Sequence, residues 1–155
     1  MAFEIEYKFL LKNDGWRLNA DAGKYYRQAY ISVNPMSTVR LRIIEDQAFI
    51  TLKGKRENIS RLEYEYPIDL NEAEQMMTEL CIGHPVVKRR YLVNHRDQLW
   101  EVDVFEELNQ GLIIAELEVE SEEQEIYLPD WVADNVSRDP RYFNAMLSQN
   151  PYSHW

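Results

Sequence analysis

An alternation of apolar and charged residues with a period of two recurs eight times along this chain, and few folds can satisfy it. The runs cover 4–11, 26–33, 37–45, 47–54, 61–69, 86–94, 99–106 and 111–120. Period two places successive side chains on opposite faces of a strand, so each run predicts a strand with one apolar and one polar face. Short connections at 45–46, 94–98 and 109–111 predict antiparallel hairpins. Helices are fewer. Residues 70–81 carry Ala73, Met76, Met77, Leu80 and Cys81 on one side, with Asn71 as the expected N-cap and Gly83 as the stop. A helical turn within 14–24 and short helices over 129–136 and 140–148, the last following Asp139, complete the expected elements. The expected fold is α+β: a closed eight-stranded antiparallel β-barrel with a charged interior and helices packed outside, one domain over 1–155.

The polar faces are almost purely formal charge, and the signs are segregated by strand. Glu4, Glu6 and Lys8 share the first; Arg40 and Arg42 the third; Phe49, Thr51 and Lys53 the fourth; Glu63 and Glu65 the fifth. Lys88 and Arg90 share the sixth, with Arg89 turned the other way. Glu101 with Asp103, then Glu116, Glu118 and Glu120, complete the set. A solvated strand face ordinarily mixes Thr, Ser, Lys and Glu, because like charges at i and i+2, roughly 6.5–7 Å apart, repel. Rows of one sign therefore ask for a neutralising ligand. Paired carboxylates suit a hard divalent cation, whereas Arg and Lys suit phosphate oxygens. A magnesium polyphosphate presents both requirements at once.

Composition narrows the partners. With 17 Lys+Arg against 27 Asp+Glu the net charge is −10, which disfavours duplex nucleic acid and anionic membrane. Much of that acidic excess is expected on the inward strand faces, as metal ligands. No run approaches the roughly 18 apolar residues of a membrane helix. No basic stretch precedes an apolar one at the N-terminus, so no signal peptide is expected. The lone Cys81 excludes an internal disulfide and fits a cytoplasmic location. His84, His95 and His154 lack the spacing of a joint metal site, and Trp16, Trp100, Trp131 and Trp155 are expected to pack. Lys12, Lys24, Arg27, Lys55, Arg56 and Arg61 flank the strands, where they could draw anions toward a mouth. An apolar barrel exterior only partly covered by short helices would favour a homodimer.

The ordered motifs resemble those of the CYTH domain, or triphosphate tunnel metalloenzyme, superfamily over nearly the whole chain. Glu4-Ile5-Glu6-Tyr7-Lys8 is similar to its ExExK signature and Gln28-Ala29-Tyr30 to its Gln-x-Tyr strand. Val39-Arg40-Leu41-Arg42 resembles its Arg-x-Arg, and Thr51-Leu52-Lys53-Gly54 its Thr-x-Lys-Gly. Glu63-Tyr64-Glu65, Lys88-Arg89-Arg90-Tyr91, Glu101-Val102-Asp103 and Ala115-Glu116-Leu117-Glu118 follow in the family's order. Asp139-Pro140-Arg141-Tyr142-Phe143-Asn144 is similar to its C-terminal segment. One stretch departs: Asn135-Val136-Ser137-Arg138 stands where many relatives carry an acidic residue and then Val-Thr-Gly.

The resemblance implies a tunnel enzyme that hydrolyses linear triphosphates, inorganic tripolyphosphate first among them, with Mg2+ or Mn2+. On this reading Lys8, Arg40, Arg42, Lys53, Lys88 and Arg90 hold the triphosphate and neutralise the transferring group. Glu4, Glu6, Glu116 and Glu118 hold one metal ion, with Asp103 or Glu120 near a second. Glu63 and Glu65 orient the attacking water or only balance the basic residues, and Tyr30 approaches Lys8 and shares in catalysis with it and with Lys88. Two other readings stay open. One is a thiamine or nucleoside triphosphatase or class IV adenylate cyclase of the same architecture, which needs an organic-group pocket that the sequence does not show. The other is a non-catalytic polyphosphate binder.

Overall fold

A computed structural model describes residues 3–155. Its strands are β1 (Phe3–Leu11), β2 (Lys24–Asn34), β3 (Ser37–Ile44), β4 (Gln47–Gly54), β5 (Ser60–Ile68), β6 (Ile82–His95), β7 (Gln98–Phe105), β8 (Ile113–Glu118) and β9 (Val132–Asn135). Helix α1 (Leu70–Glu79) links β5 to β6, and α2 (Asn144–Gln149) follows β9. Neighbours run β5-β4-β3-β2-β6-β7-β8-β1, and β1 returns to β5 through Phe3↔Leu62, Glu4↔Arg61 and Ile5↔Ser60. Every pairing is antiparallel. The eight alternating runs thus close into the expected barrel.

The seam at β1 explains a strand that the sequence does not announce. β8 occupies one edge of β1 from Glu6 to Leu10, so β5 and β9 must share the other edge. β5 takes its start, and β9 pairs Asn135 with Phe9 and Val132 with Leu11. Residues 129–136 are therefore not the expected helix. An open strand edge offers unpaired backbone groups, and the passing segment satisfies them. Val136 N donates to Lys8 O at 2.9 Å, and Lys8 N donates to Ser137 Oγ at 2.9 Å. The stretch that departs from the family pattern is what seals this seam.

Charges point inward, so the apolar faces point outward and need cover. Phe9, Trp100, Val102, Ala115 and Leu117 of the wall are buried under Trp16, from the 3-10 turn Gly15–Asn19, and under Trp131 and Val132. On the far side α1 covers Ile43 and Ala48 with Ala73. Its N-cap is Asp69, not Asn71: the Asp69 carboxylate accepts from Glu72 N at 3.0 Å, satisfying a first-turn donor. Beyond α1, the outer faces of β4 and β5 leave Leu52, Tyr64 and Tyr66 exposed. Trp155 is also part-exposed, edge-on to Tyr142 and Tyr152.

Residues 140–148 divide into a 3-10 turn, Pro140–Tyr142, capped by Asp139, and α2. Tyr142 and Leu147 pack on Val86, Phe105 and Ile114, with Leu10 alongside. Those four positions share parity with Lys88, Asp103, Glu116 and Lys8, so they belong to the inward face. α2 therefore stoppers one end of the barrel, whereas α1 lies against its wall. Gly83, expected to stop α1, instead lies in β6, because α1 already ends at Glu79. It is held against the stopper: a Cβ there would stand 2.5 Å from Ser148 O, and its φ is +69°. Gly83→Ala should cost about 1–3 kcal/mol through this left-handed backbone and clash. Urea unfolding measures it, and an unchanged midpoint would rule out the β6–α2 contact.

Candidate active site

The inward faces line one cavity of about 580 Å³. Eight cationic and seven acidic side chains border it, so the acidic excess behind the net charge of −10 lies outside it. This corrects the expectation that the excess consists of metal ligands. Cross-strand register explains the balance: Lys8 faces Glu116, Arg61 faces Glu4, Lys53 faces Glu63 and Arg90 faces Asp103.

Part of this charge is consumed internally. Arg90 grips Asp103 with Nε and Nη2 at 2.7 and 2.8 Å, Glu101 with Nη1 at 2.9 Å, and Glu116 with Nη2 at 3.1 Å. Lys88 Nζ donates to Asp103 Oδ2 at 2.7 Å and to Asn144 Oδ1 at 3.1 Å. Lys88 and Asp103 are both fully buried and lie behind the cavity lining. Asp103 is thus committed to two cations and does not present itself as a metal ligand. Burial, with Arg90 and Arg42 nearby, pushes Lys88 down to about 7 against the pull of Asp103. Glu120 is also displaced from its expected role: β8 ends at Glu118, and Glu120 is exposed outside the lining.

Two lysines stand between carboxylates. Lys8 Nζ lies 3.3 Å from Glu6 and 3.2 Å from Glu116, while Lys53 Nζ lies 2.7 Å from Glu4 and 3.0 Å from Glu63. The Tyr30 hydroxyl is bonded to Gln28 Nε2 at 3.1 Å, not to Lys8. Two arginines keep capacity in reserve. Arg42 Nε donates to Gln28 Oε1 at 3.0 Å, but among the described residues no carboxylate pairs with Arg42. Burial, then Arg40 and Arg90, push it down to about 10. Arg40 Nη2 reaches Thr51 Oγ1 at 3.1 Å and Glu65 Oε2 at 3.3 Å, whereas its buried Nε has no partner among the described residues. A buried donor left unpaired costs about 1–3 kcal/mol.

The acidic side has the matching need. Burial, then Glu116 and Glu4, push Glu6 up to about 8 against Lys8. Burial and a hydrogen bond with Glu4 push Glu63 up to about 7. Glu118 is raised by burial and by Glu4 and Glu101. Against burial, Lys53 and a hydrogen bond from Glu63 hold Glu4 well below the usual carboxylate range. Against burial, Lys8, Arg90 and Lys88 hold Glu116 low. Oxygen-only donors under mutual repulsion fit a hard divalent cation. Among the described residues, no three are already gathered around one metal position, since Lys8 and Lys53 separate them.

Sequence parity could have found Tyr26, which shares an inward face with Gln28 and Tyr30 and lines the cavity; its lack of formal charge concealed it. Of the flanking cations, Lys55, Arg56 and Arg61 line the cavity, whereas Arg27 pairs with Glu74 of α1. Asn144 ends the C-terminal motif, but its bond to Lys88 carries no sequence signal, because only the seating of α2 brings the two together. His84 and His154 stack edge-on at 6.1 Å, both exposed, and do not join the cavity.

The raised Glu6 carboxyl has a consequence for stability. The folded chain retains this proton above the ordinary value of 4.5 and releases it near 8. The protonated group's contribution is therefore complete below the ordinary value and lost as pH rises through about 8. Glu6→Gln cannot titrate. In metal-free buffer, the wild-type minus Glu6→Gln unfolding free energy should fall by about 1–3 kcal/mol between about pH 5 and pH 9. Denaturant titrations at each pH check it, and a difference independent of pH would contradict the raised carboxyl.

Known proteins match this chain nearly end to end. The family described as "CYTH domain" matches residues 2–148. An inorganic triphosphatase of Acetivibrio thermocellus is 41% identical over 155 residues, covering 100% of this chain and 99% of its own. One from Nitrosomonas europaea is 36% identical over 152 residues, with 94% and 96% covered. A crystal structure of an inorganic triphosphatase superposes with a TM-score of 0.65 at 34% identity, covering 93% of this chain and 96% of that one. A charge-lined eight-stranded barrel, the ordered motifs on its inner faces and these end-to-end likenesses agree: the chain belongs to the CYTH domain family.

Proposed function

We propose that the protein is a divalent-metal-dependent triphosphatase that hydrolyses linear triphosphates, inorganic tripolyphosphate foremost, with Mg2+ or Mn2+. The carrying observation is the pairing of unmet needs in one cavity: the spare donors of Arg40 and Arg42 beside the repelling carboxylates of Glu4, Glu6 and Glu118. The inorganic triphosphatase relatives support the same reaction. Arg40, Arg42, Lys8, Lys53 and Arg90 hold the phosphate oxygens and neutralise charge on the transferring group. Glu4, Glu6 and Glu118, with Glu116 behind them, hold the metal. The bound cation supplies polarisation of the phosphate chain and a lowered pKa for an attacking water. Glu63, held near neutrality, takes the proton from that water, and Glu65 is fixed by Thr51 Oγ1 at 2.7 Å as its neighbour. Lys88 acts from behind the lining, fixing Asp103 and through it Arg90. The free, half-buried thiol of Cys81 is in keeping with a cytoplasmic location.

One observation favours a second reading. Val33, Pro35, Phe143, Ala145 and Met146 give the cavity an apolar border, and the Arg56 guanidinium lies 4.2 Å over the Phe143 ring. The base or ring of an organic triphosphate requires an apolar border of this kind, which the sequence does not show.

Phosphate release from tripolyphosphate should require Mg2+ or Mn2+ and stop with chelator; equal release with and without chelator would refute the metal-dependent reading. Arg42→Ala should lower kcat/KM about 10- to 100-fold, the loss of one or two charge-assisted hydrogen bonds. Phe143→Ala separates the substrates. It should lower turnover of ATP or thiamine triphosphate while sparing tripolyphosphate if the apolar border holds an organic group, and affect all alike if it does not.

A further inference from the structure

Gln28 is fully buried in β2, opposite Arg42 in the register, and its side chain joins two cavity residues. Its amide oxygen accepts from Arg42 Nε at 3.0 Å, and its amide nitrogen lies 3.1 Å from the Tyr30 hydroxyl. A guanidinium has only donors, so the face of the amide toward Arg42 must be the oxygen. The nitrogen is thereby turned to Tyr30 and must donate, because an amide NH2 has no acceptor. The Tyr30 oxygen then accepts, and its own proton must point elsewhere. Tyr30 is buried, lines the cavity and has no second side-chain partner among the described residues.

We infer that Gln28 is a positioning residue that fixes the polarity of a three-member chain, Arg42 to Gln28 to Tyr30, so that the Tyr30 O–H is presented to the cavity as a donor. The same bond holds Arg42 by Nε and leaves both of its terminal nitrogens free of Gln28. One buried amide thus prepares two donors for an anionic ligand, and neither must rotate away from a competing acceptor when it binds. The orientation depends on the side chains alone, whereas its effect on turnover rests on the triphosphatase reading.

Gln28→Glu tests the polarity while keeping the shape. A carboxylate still accepts from Arg42 but also accepts from Tyr30, so the hydroxyl proton is drawn back to residue 28. Two measurements separate the possibilities. In the metal-free, ligand-free protein, the Raman ring doublet of Tyr30, taken as the difference from Tyr30→Phe, should show in wild type a phenol that accepts from Gln28 while donating into the cavity. The difference between Gln28→Glu and Gln28→Glu/Tyr30→Phe should show one that donates only. In turnover of tripolyphosphate, Gln28→Glu should lower kcat about 100-fold, as loss of one aligned donor does. In the Tyr30→Phe background the same change should have a much smaller effect. A Tyr30 that only donates in wild type, or a Gln28→Glu loss of equal size in both backgrounds, overturns the inference. Gln28→Met covers the case in which the buried carboxylate prevents folding. It should abolish the accepting signature, and persistence of that signature would equally overturn the inference. Lack of phosphatase activity in wild type would reject the triphosphatase reading and leave the Raman test of orientation standing.

Discussion

The structure depends on register more than on any single contact. Each inward strand face carries charges of mostly one sign, which repel at the spacing of a strand. Only the neighbouring strands can compensate, and they do so because Lys8 lies opposite Glu116, Arg90 opposite Asp103 and Lys53 opposite Glu63. A slip of one residue in β6 would turn Lys88 and Arg90 outward and bring Val87, Arg89 and Tyr91 into the barrel. It would take both Lys88 and Arg90 away from Asp103, and breaking a buried pair costs about 3–5 kcal/mol. The charged interior therefore specifies its own pairing and closure.

An inverted barrel must also solve a problem that ordinary sheets do not have. Its hydrophobic core lies outside the wall, so every segment that is not a barrel strand is recruited as cover or closure. Trp16 and Trp131 roof the β1–β8–β7 wall, α1 roofs β3 and β4, β9 occupies the spare edge of β1, and α2 fills one end. Long-range electrostatics follow from the same inversion. The cavity is close to neutral while the outer surface carries the acid, so the global field does not attract a polyanion. On the proposed function, capture falls to the local cations Lys55, Arg56 and Arg61, within a screening length of about 8–10 Å.

Strand parity made most of the barrel legible, because a period of two is unambiguous when one face is entirely charged. β9 was not legible: Val132-Ala133-Asp134-Asn135 has no alternation and is a strand only because β1 offers an edge. For the site, parity identified which side chains face inward but not which of them are already paired. Asp103 and Glu118 look alike as strand carboxylates. Yet Asp103 is gripped by Arg90 and Lys88, while Glu118 is repelled by Glu4 and Glu101. That distinction arises from distances across three strands, which no local pattern encodes. Gln28 is the converse case: the Gln-x-Tyr motif names it, but a neutral amide has no evident role until Arg42 and Tyr30 stand on either side of it.

The division between paired and spare charge also accounts for how such a cavity can stay folded and still bind. A cavity with all its cations free would suffer the repulsion that already burdens Arg42, and one with all of them paired would have nothing to offer an anion. Here Arg90 and Lys88 are bound tightly and set the frame, while Arg40 and Arg42 remain partly unmet. Lys8 and Lys53 are intermediate, each standing between two carboxylates. On the proposed function, those two lysines are the exchangeable partners: phosphate oxygens attract them as the accompanying cation takes over the carboxylates. A metal and a polyphosphate arriving together add little net charge, so the exchange substitutes one set of ion pairs for another. Neither ligand alone can achieve this without burying unbalanced charge. The same electrostatics that force the strands into register thus favour joint binding of the two ligands over either one separately.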